Sequence, residues 1–106
     1  GAAAYLRADG RTDLYLPGQR QPLMTLPGGA PARFSPDSTL LAVTTPGPLG
    51  WTVTLHDPAT GREVARSGLL DAAPTFLSWS ADSRSLAVGA APLGSVGSVT
   101  TYPITP

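Results

Sequence analysis

Apolar and polar residues along this chain change over in short blocks, each closed by glycine, proline, aspartate or serine. The apolar block Leu40-Leu41-Ala42-Val43, running into Thr44-Thr45, shows no alternation and reads as a strand buried on both faces. Ala32 to Ser35 reads as the strand before it, with Pro36-Asp37-Ser38 as a tight turn between the two. Proline presets φ in such a turn, and Asp and Ser side chains bond nearby amides. Pro46-Gly47-Pro48-Leu49-Gly50 reads as an exposed loop, because its prolines remove ladder donors. Trp51 to Asp57, with β-branched and aromatic residues, is then a third strand, and Pro58-Ala59-Thr60-Gly61 turns the chain. Glu63 to Leu69 supplies a charged outer strand, so the unit holds four short strands in up-and-down order.

The unit recurs. Residues 32 to 43 match residues 77 to 88 at six of twelve positions, at a spacing of 45. That period is the length of one β-propeller blade. The later copy predicts strands over Phe76–Ser80, Leu86–Ala90 and Ser98–Ile104, with a turn at Ala81-Asp82-Ser83-Arg84 and a loose Gly- and Ser-rich loop between the last two strands. Ahead of the full unit, Ala3–Leu6, Thr12–Leu16 and Pro22–Leu26 read as the last three strands of an earlier copy, with a hairpin signal at Ala8-Asp9-Gly10. Leu26-Pro27-Gly28-Gly29-Ala30-Pro31 reads as the linker between units, and Phe34, Leu41, Val43, Trp79, Leu86 and Val88 as core. Phe76 also reads as packing between units. No stretch free of Gly and Pro carries the 3.6-residue period of a helix over three turns.

Phe34-Ser35-Pro36-Asp37-Ser38, followed by Leu40-Leu41-Ala42-Val43 and by Val53-Thr54-Leu55-His56-Asp57-Pro58-Ala59-Thr60-Gly61, resembles the blades of bacterial WD-repeat proteins. Thr12-Asp13-Leu14-Tyr15-Leu16-Pro17-Gly18 with Pro22 to Leu26 looks more like the TolB-type propeller repeat. The resemblance implies an all-β chain, a partial β-propeller of about ten short antiparallel strands in four-stranded up-and-down blades. Residues 1–31 would be the last three strands of a blade plus a linker, 32–75 a complete blade, and 76–106 the first three strands of a further blade. His56-Asp57 stands where the family has Trp-Asp, and the usual Gly-His dipeptide is missing, so the buried Asp-His-Ser/Thr-Trp network of true WD repeats does not carry over. The blades are expected to hold together by packing.

Composition narrows the partners. Seven basic and seven acidic residues give zero formal charge and no basic stripe, which removes the counterion-release term that drives nucleic-acid binding. No apolar run is long enough for a membrane span, and the start of the chain lacks the pattern of a signal peptide. Without cysteine there is no disulfide or thiolate metal site, and compartment stays open. All seven basic residues are Arg, there is no Lys or Asn, and Ile104 is the single Ile; this codon bias points to a GC-rich, bacterial source.

Reactive constellations are scarce. His56 is the single histidine, but strand neighbours point to opposite faces, so Asp57 is not placed to orient it. No Gly-x-Ser-x-Gly elbow holds a nucleophile. Asp37 and Asp82 repeat as turn-capping acids, and no calcium or zinc spacing occurs. The expectation is therefore no catalytic residue, no cofactor and no metal. Trp51, after an exposed loop, with Arg11 and Arg62 on loops, forms the candidate interaction surface.

The expected function is a non-catalytic scaffold for protein–protein interaction, its partner another protein or the remaining blades of a longer propeller. A homo-oligomeric ring is an alternative assembly, although the join between copies would lack two strands. Two other functions fit the pattern: a substrate-gating propeller of a larger enzyme such as a prolyl-oligopeptidase-like serine peptidase, and a small-molecule or sugar-binding propeller.

Overall fold

Ten strands and no helix form within residues 2–70, 73–90 and 98–104, the part of the chain that the computed structural model describes. The strands are β1 (Ala3–Leu6), β2 (Thr12–Tyr15), β3 (Met24–Leu26), β4 (Gly29–Phe34), β5 (Leu41–Gly47), β6 (Gly50–His56), β7 (Glu63–Arg66), β8 (Pro74–Trp79), β9 (Ser85–Ala90) and β10 (Ser98–Pro103). They pair antiparallel into three sheets, β1-β2-β3, β4-β5-β6-β7 and β8-β9-β10, and none of the sheets closes on itself. The Gly- and Ser-rich loop expected before β10 lies largely at 91–97, outside the described residues.

The middle sheet is covered on both sides. Leu41 and Val43 of β5 pack with Leu14 and Leu26 of the first sheet, joined by the partly buried Phe34. Ala42 between them turns to the other face, where it packs with Val53, Leu55 and, from the third sheet, Leu77, Leu86 and Val88. Period-two alternation thus sends successive residues of one apolar run into two separate cores, which is why that run shows no polar positions. Among the described residues, every buried side-chain nitrogen and oxygen has a hydrogen-bond partner.

The sheets follow one another by a repeated rule. Leu86 and Val88, 45 positions after Leu41 and Val43, again face the preceding sheet. Trp79, the counterpart of Phe34, donates its indole Nε1–H to the Arg33 carbonyl of β4 at 3.1 Å.

Three expectations need correction. Gly29, Ala30 and Pro31 are not linker but the start of β4, which carries a register shift between Gly29 and Ala32 and a cis Ala30–Pro31 bond. The loop expected over Pro46–Gly50 shrinks to a two-residue turn at Pro48-Leu49, with Pro46 paired to Trp51. Pro46 is tolerated because β4 pairs with β5 only as far as Thr44, so its missing N–H faces an empty edge. Phe34 and Trp79 are half-buried rather than buried, and Phe76 is 43% exposed, lying on the outer face of the third sheet across Gly89, where a Cβ would strike its ring.

That outer face differs from its counterpart in the middle sheet. Val99 lies opposite Gly89 as Val53 lies opposite Thr44, yet Val99 is 61% exposed and Val53 is 2% exposed. Leu41→Ala should therefore cost about 2–5 kcal/mol, because it opens a cavity between two sheets. Val99→Thr should stay within about 0.5 kcal/mol. Urea unfolding of the two variants checks this contrast, and similar losses would contradict the assigned faces.

Candidate interaction surface

The chain turns twice through the same hydroxyl–carboxylate device. Ser35 Oγ donates to Asp37 Oδ1 at 2.7 Å and accepts the Leu40 amide at 3.1 Å. Ser80 Oγ donates to Asp82 Oδ1 at 2.5 Å and accepts the Ser85 amide at 3.0 Å. Each carboxylate also accepts the amide two residues on, from Thr39 at 3.1 Å and from Arg84 at 3.0 Å. The turn residues Ser38 and Ser83 sit at φ 62° and 61°, the left-handed region, so the backbone repeats along with the side chains.

These bonds act on the carboxylates. The Thr39 hydroxyl, then the Ser35 hydroxyl and the Thr39 amide, hold the Asp37 carboxyl down at about 2, from an ordinary 3.8. The Ser80 hydroxyl and the Arg84 amide likewise lower Asp82. Both acids are committed to their turns, which are joined across the sheets where the Asp37 amide donates to Ser83 Oγ at 3.1 Å. The serine repeat at spacing 45 carried this contact in sequence, but only packing brings Ser83 against Asp37.

His56 is buried on the face of β6 toward the first sheet. Its Nδ1 lies 3.0 Å from the Gly61 carbonyl, which only accepts, so Nδ1 carries the hydrogen. Nε2 then accepts the Thr54 hydroxyl at 2.9 Å, and the Thr54 oxygen in turn accepts the Thr45 hydroxyl at 3.0 Å. Asp57 is turned away, its carboxylate accepting the Ala59 amide at 2.9 Å. The imidazole is thus spent on tying β6 to the turn that follows it, with no serine oxygen or carboxylate among the described residues bonded to it. Among the described residues no group of three or more His, Asp or Glu side chains is placed to hold a metal ion.

The three candidate surface residues do not form one surface. Trp51 lies at the start of β6 and Arg62 beyond its end, about 20 Å apart along the strand. Arg11 belongs with Trp51, since its turn packs Gly10 against Gly29 at the end of the molecule where β5 runs into β6. There Trp51 is half-buried and exchanges two backbone bonds with Leu70, of 2.9 and 2.7 Å. Gly50, at φ 151°, leaves room for the Leu70 carbonyl, which a Cβ would strike. Arg11 is held by Asp9 through Nε at 3.1 Å and Nη2 at 2.8 Å.

This end also exposes leucines that the sequence did not single out: Leu6, Leu69 and above all Leu49, 82% exposed at the turn tip. The opposite end carries the two acid–hydroxyl turns, Arg62 and the exposed Val64 and Leu23. No helix among the described residues is long and apolar enough to cross a membrane. Neither a protein-family model nor a curated protein matches the chain.

The Asp37 linkage has a sign. A carboxyl depressed from 3.8 to about 2 contributes stability that is fully present above pH 3.8 and is lost as pH falls through about 2. The urea midpoint should fall over that window, and Asp37→Asn should flatten the fall; identical slopes would place the acid loss elsewhere. Ser83→Ala should cost about 0.5–1.5 kcal/mol by removing the acceptor for the Asp37 amide. Ser38→Ala, at the equivalent turn position of the middle sheet, is the matched comparison, and thermal unfolding reads the difference.

Proposed function

We propose that the chain is a stretch of a β-propeller, with a complete blade between two partial ones, and that it serves as a non-catalytic scaffold for a protein partner. The observation that carries this reading is the mismatch of equivalent faces. Val99 is exposed where Val53 is buried, and Tyr5 is 62% exposed where its counterpart Val43 is fully buried. Each terminal sheet thus presents a face that the middle sheet covers with a neighbour, as blades in a longer row would. The repeated turns, the 45-residue period and the resemblance to WD-repeat and TolB-type blades support the same reading. The side chains of His56, Ser35, Ser80, Asp37 and Asp82 are taken up in turn and backbone-linked bonds, which favours a scaffold over an enzyme.

The partner-facing end in this reading is the one that carries Leu49, Trp51 and Arg11, because exposed aliphatic side chains beside an aromatic and an arginine have the composition of an interface core.

Two measurements test these parts separately. Inserting a second copy of residues 32–76 directly after residue 76 should raise the unfolding midpoint, because stacked repeats gain an interface with each unit. A lower midpoint would overturn the propeller reading. A photo-crosslinker at position 49 should capture a partner that the same group at position 62 does not, and equal capture would remove the assignment of the end.

A further inference from the structure

The chain holds a single sulfur atom, the thioether of Met24, since it has one methionine and no cysteine. Met24 opens β3 and shares a face with Leu26, two residues on, which is fully buried against Leu41 and Val43 of the middle sheet. The Met24 side chain therefore leans toward the middle sheet, where it meets Gly61 in the turn between β6 and β7. A Cβ at Gly61 would strike the Met24 sulfur and lie 2.8 Å from its Cγ. Glycine at φ 76° thus serves both the left-handed turn and the seating of the thioether.

That seat is part of the middle sheet's framework. Gly61 is buried, its amide donates to the Asp57 carbonyl at 2.7 Å, and its carbonyl accepts the His56 Nδ1–H at 3.0 Å. Met24 hence covers the turn to which His56 is tied. The contact lies between the first two sheets, not at an open edge or an uncovered face, so it does not depend on the propeller reading.

Cover is incomplete on the solvent side. Met24 is 38% exposed, which gives a small oxidant access to the side chain. A peroxide reacts with the sulfur lone pair: an S–O bond forms, the O–O bond breaks, and the departing hydroxide takes up a proton and leaves as water. Sulfur is oxidised by two electrons and the peroxide is reduced. The sulfoxide carries a polar oxygen that requires a hydrogen bond. Backbone amides beside the seat are already committed, that of Gly61 to the Asp57 carbonyl and that of Arg62 to Thr60 Oγ1 at 3.2 Å.

We propose that Met24 is a redox-sensitive latch between the first and middle sheets. A peroxide converts its thioether to the sulfoxide, the side chain swings off Gly61 to reach water, and the first sheet loosens on the middle one. Because Leu14 and Leu26 complete their core only on Leu41 and Val43, the change is felt as lower stability of the chain. Reduction of the sulfoxide closes the latch again.

The test treats the full chain with hydrogen peroxide until its mass rises by one oxygen, then applies peptide mapping and thermal unfolding. The oxygen should map to Met24, and the unfolding midpoint should fall by about 4–8 °C, the shift expected when one such contact is lost in a domain of this size. Methionine sulfoxide reductases for the two epimers should together restore the midpoint. Met24→Leu keeps the volume and removes the sulfur, so it should fold and should not respond to peroxide. Gly61→Ala displaces the thioether from its seat, and its midpoint, lower at the outset, should move by less than about 2 °C on oxidation. Oxygen added at a residue other than Met24, an oxidised chain that unfolds within about 1 °C of the untreated one, an equal fall in Met24→Leu, or a full fall in Gly61→Ala would overturn the proposal.

Discussion

Leu41, Ala42 and Val43 are consecutive, fully buried, and directed alternately into two different cores. The structure of the described chain depends on that alternation. A one-residue slip of β5 would exchange its two faces, placing Ala42 where Leu41 and Val43 fill the space against the first sheet. Because both faces are covered, neither outer sheet has an independent core: the first sheet completes its packing on Leu41 and Val43, and the third on Ala42, Val53 and Leu55. Burial of each core thus needs at least two sheets, which ties the cohesion of the molecule to stacking rather than to any one hairpin.

Polar contacts refine this stacking instead of driving it. The indole of Trp79 reaches the Arg33 carbonyl and the Asp37 amide reaches Ser83, both from one sheet to the next. Thr12 Oγ1 does the equivalent between the first two sheets, donating to the Gly28 carbonyl at 2.8 Å. Each such bond contributes about 1 kcal/mol, less than a single buried leucine, but it is directional and so sets the offset between neighbouring sheets. His56 acts within one sheet instead, linking Thr54 of β6 to the Gly61 carbonyl of the following turn. A chemically versatile side chain is thereby made structural by its neighbours.

The two ends of the strands have unlike chemistry for a local reason. At one end the chain reverses through Ser-x-Asp turns whose hydroxyls and amides saturate the carboxylates. At the other it reverses through a proline-flanked turn that bears Leu49, and Trp51 meets the Leu69-Leu70 segment there. At this second end Leu49 stays exposed at the turn tip, whereas the carboxylates at the first end are taken up by their turns.

Much of this was legible in the residues themselves. The apolar run at Leu40–Val43, the Ser-x-Asp-Ser turns at a spacing of 45 and the absence of helical periodicity determined an all-β chain of short antiparallel strands, because strand alternation and turn chemistry are local properties. They also indicated that Asp37 and Asp82 cap turns and that Asp57 does not orient His56, since those contacts span only a few residues. Tertiary structure alone decided which residues are covered. Phe76 and Val99 are as apolar as Leu77 and Val53, and nothing in their local sequence marks them as exposed; the difference lies in which sheet faces have a neighbour. The same holds for the separation of Arg62 from Trp51 and Arg11. Burial and edge pairing are relations between segments far apart in the chain, and a single strand's sequence does not encode the presence of its neighbour.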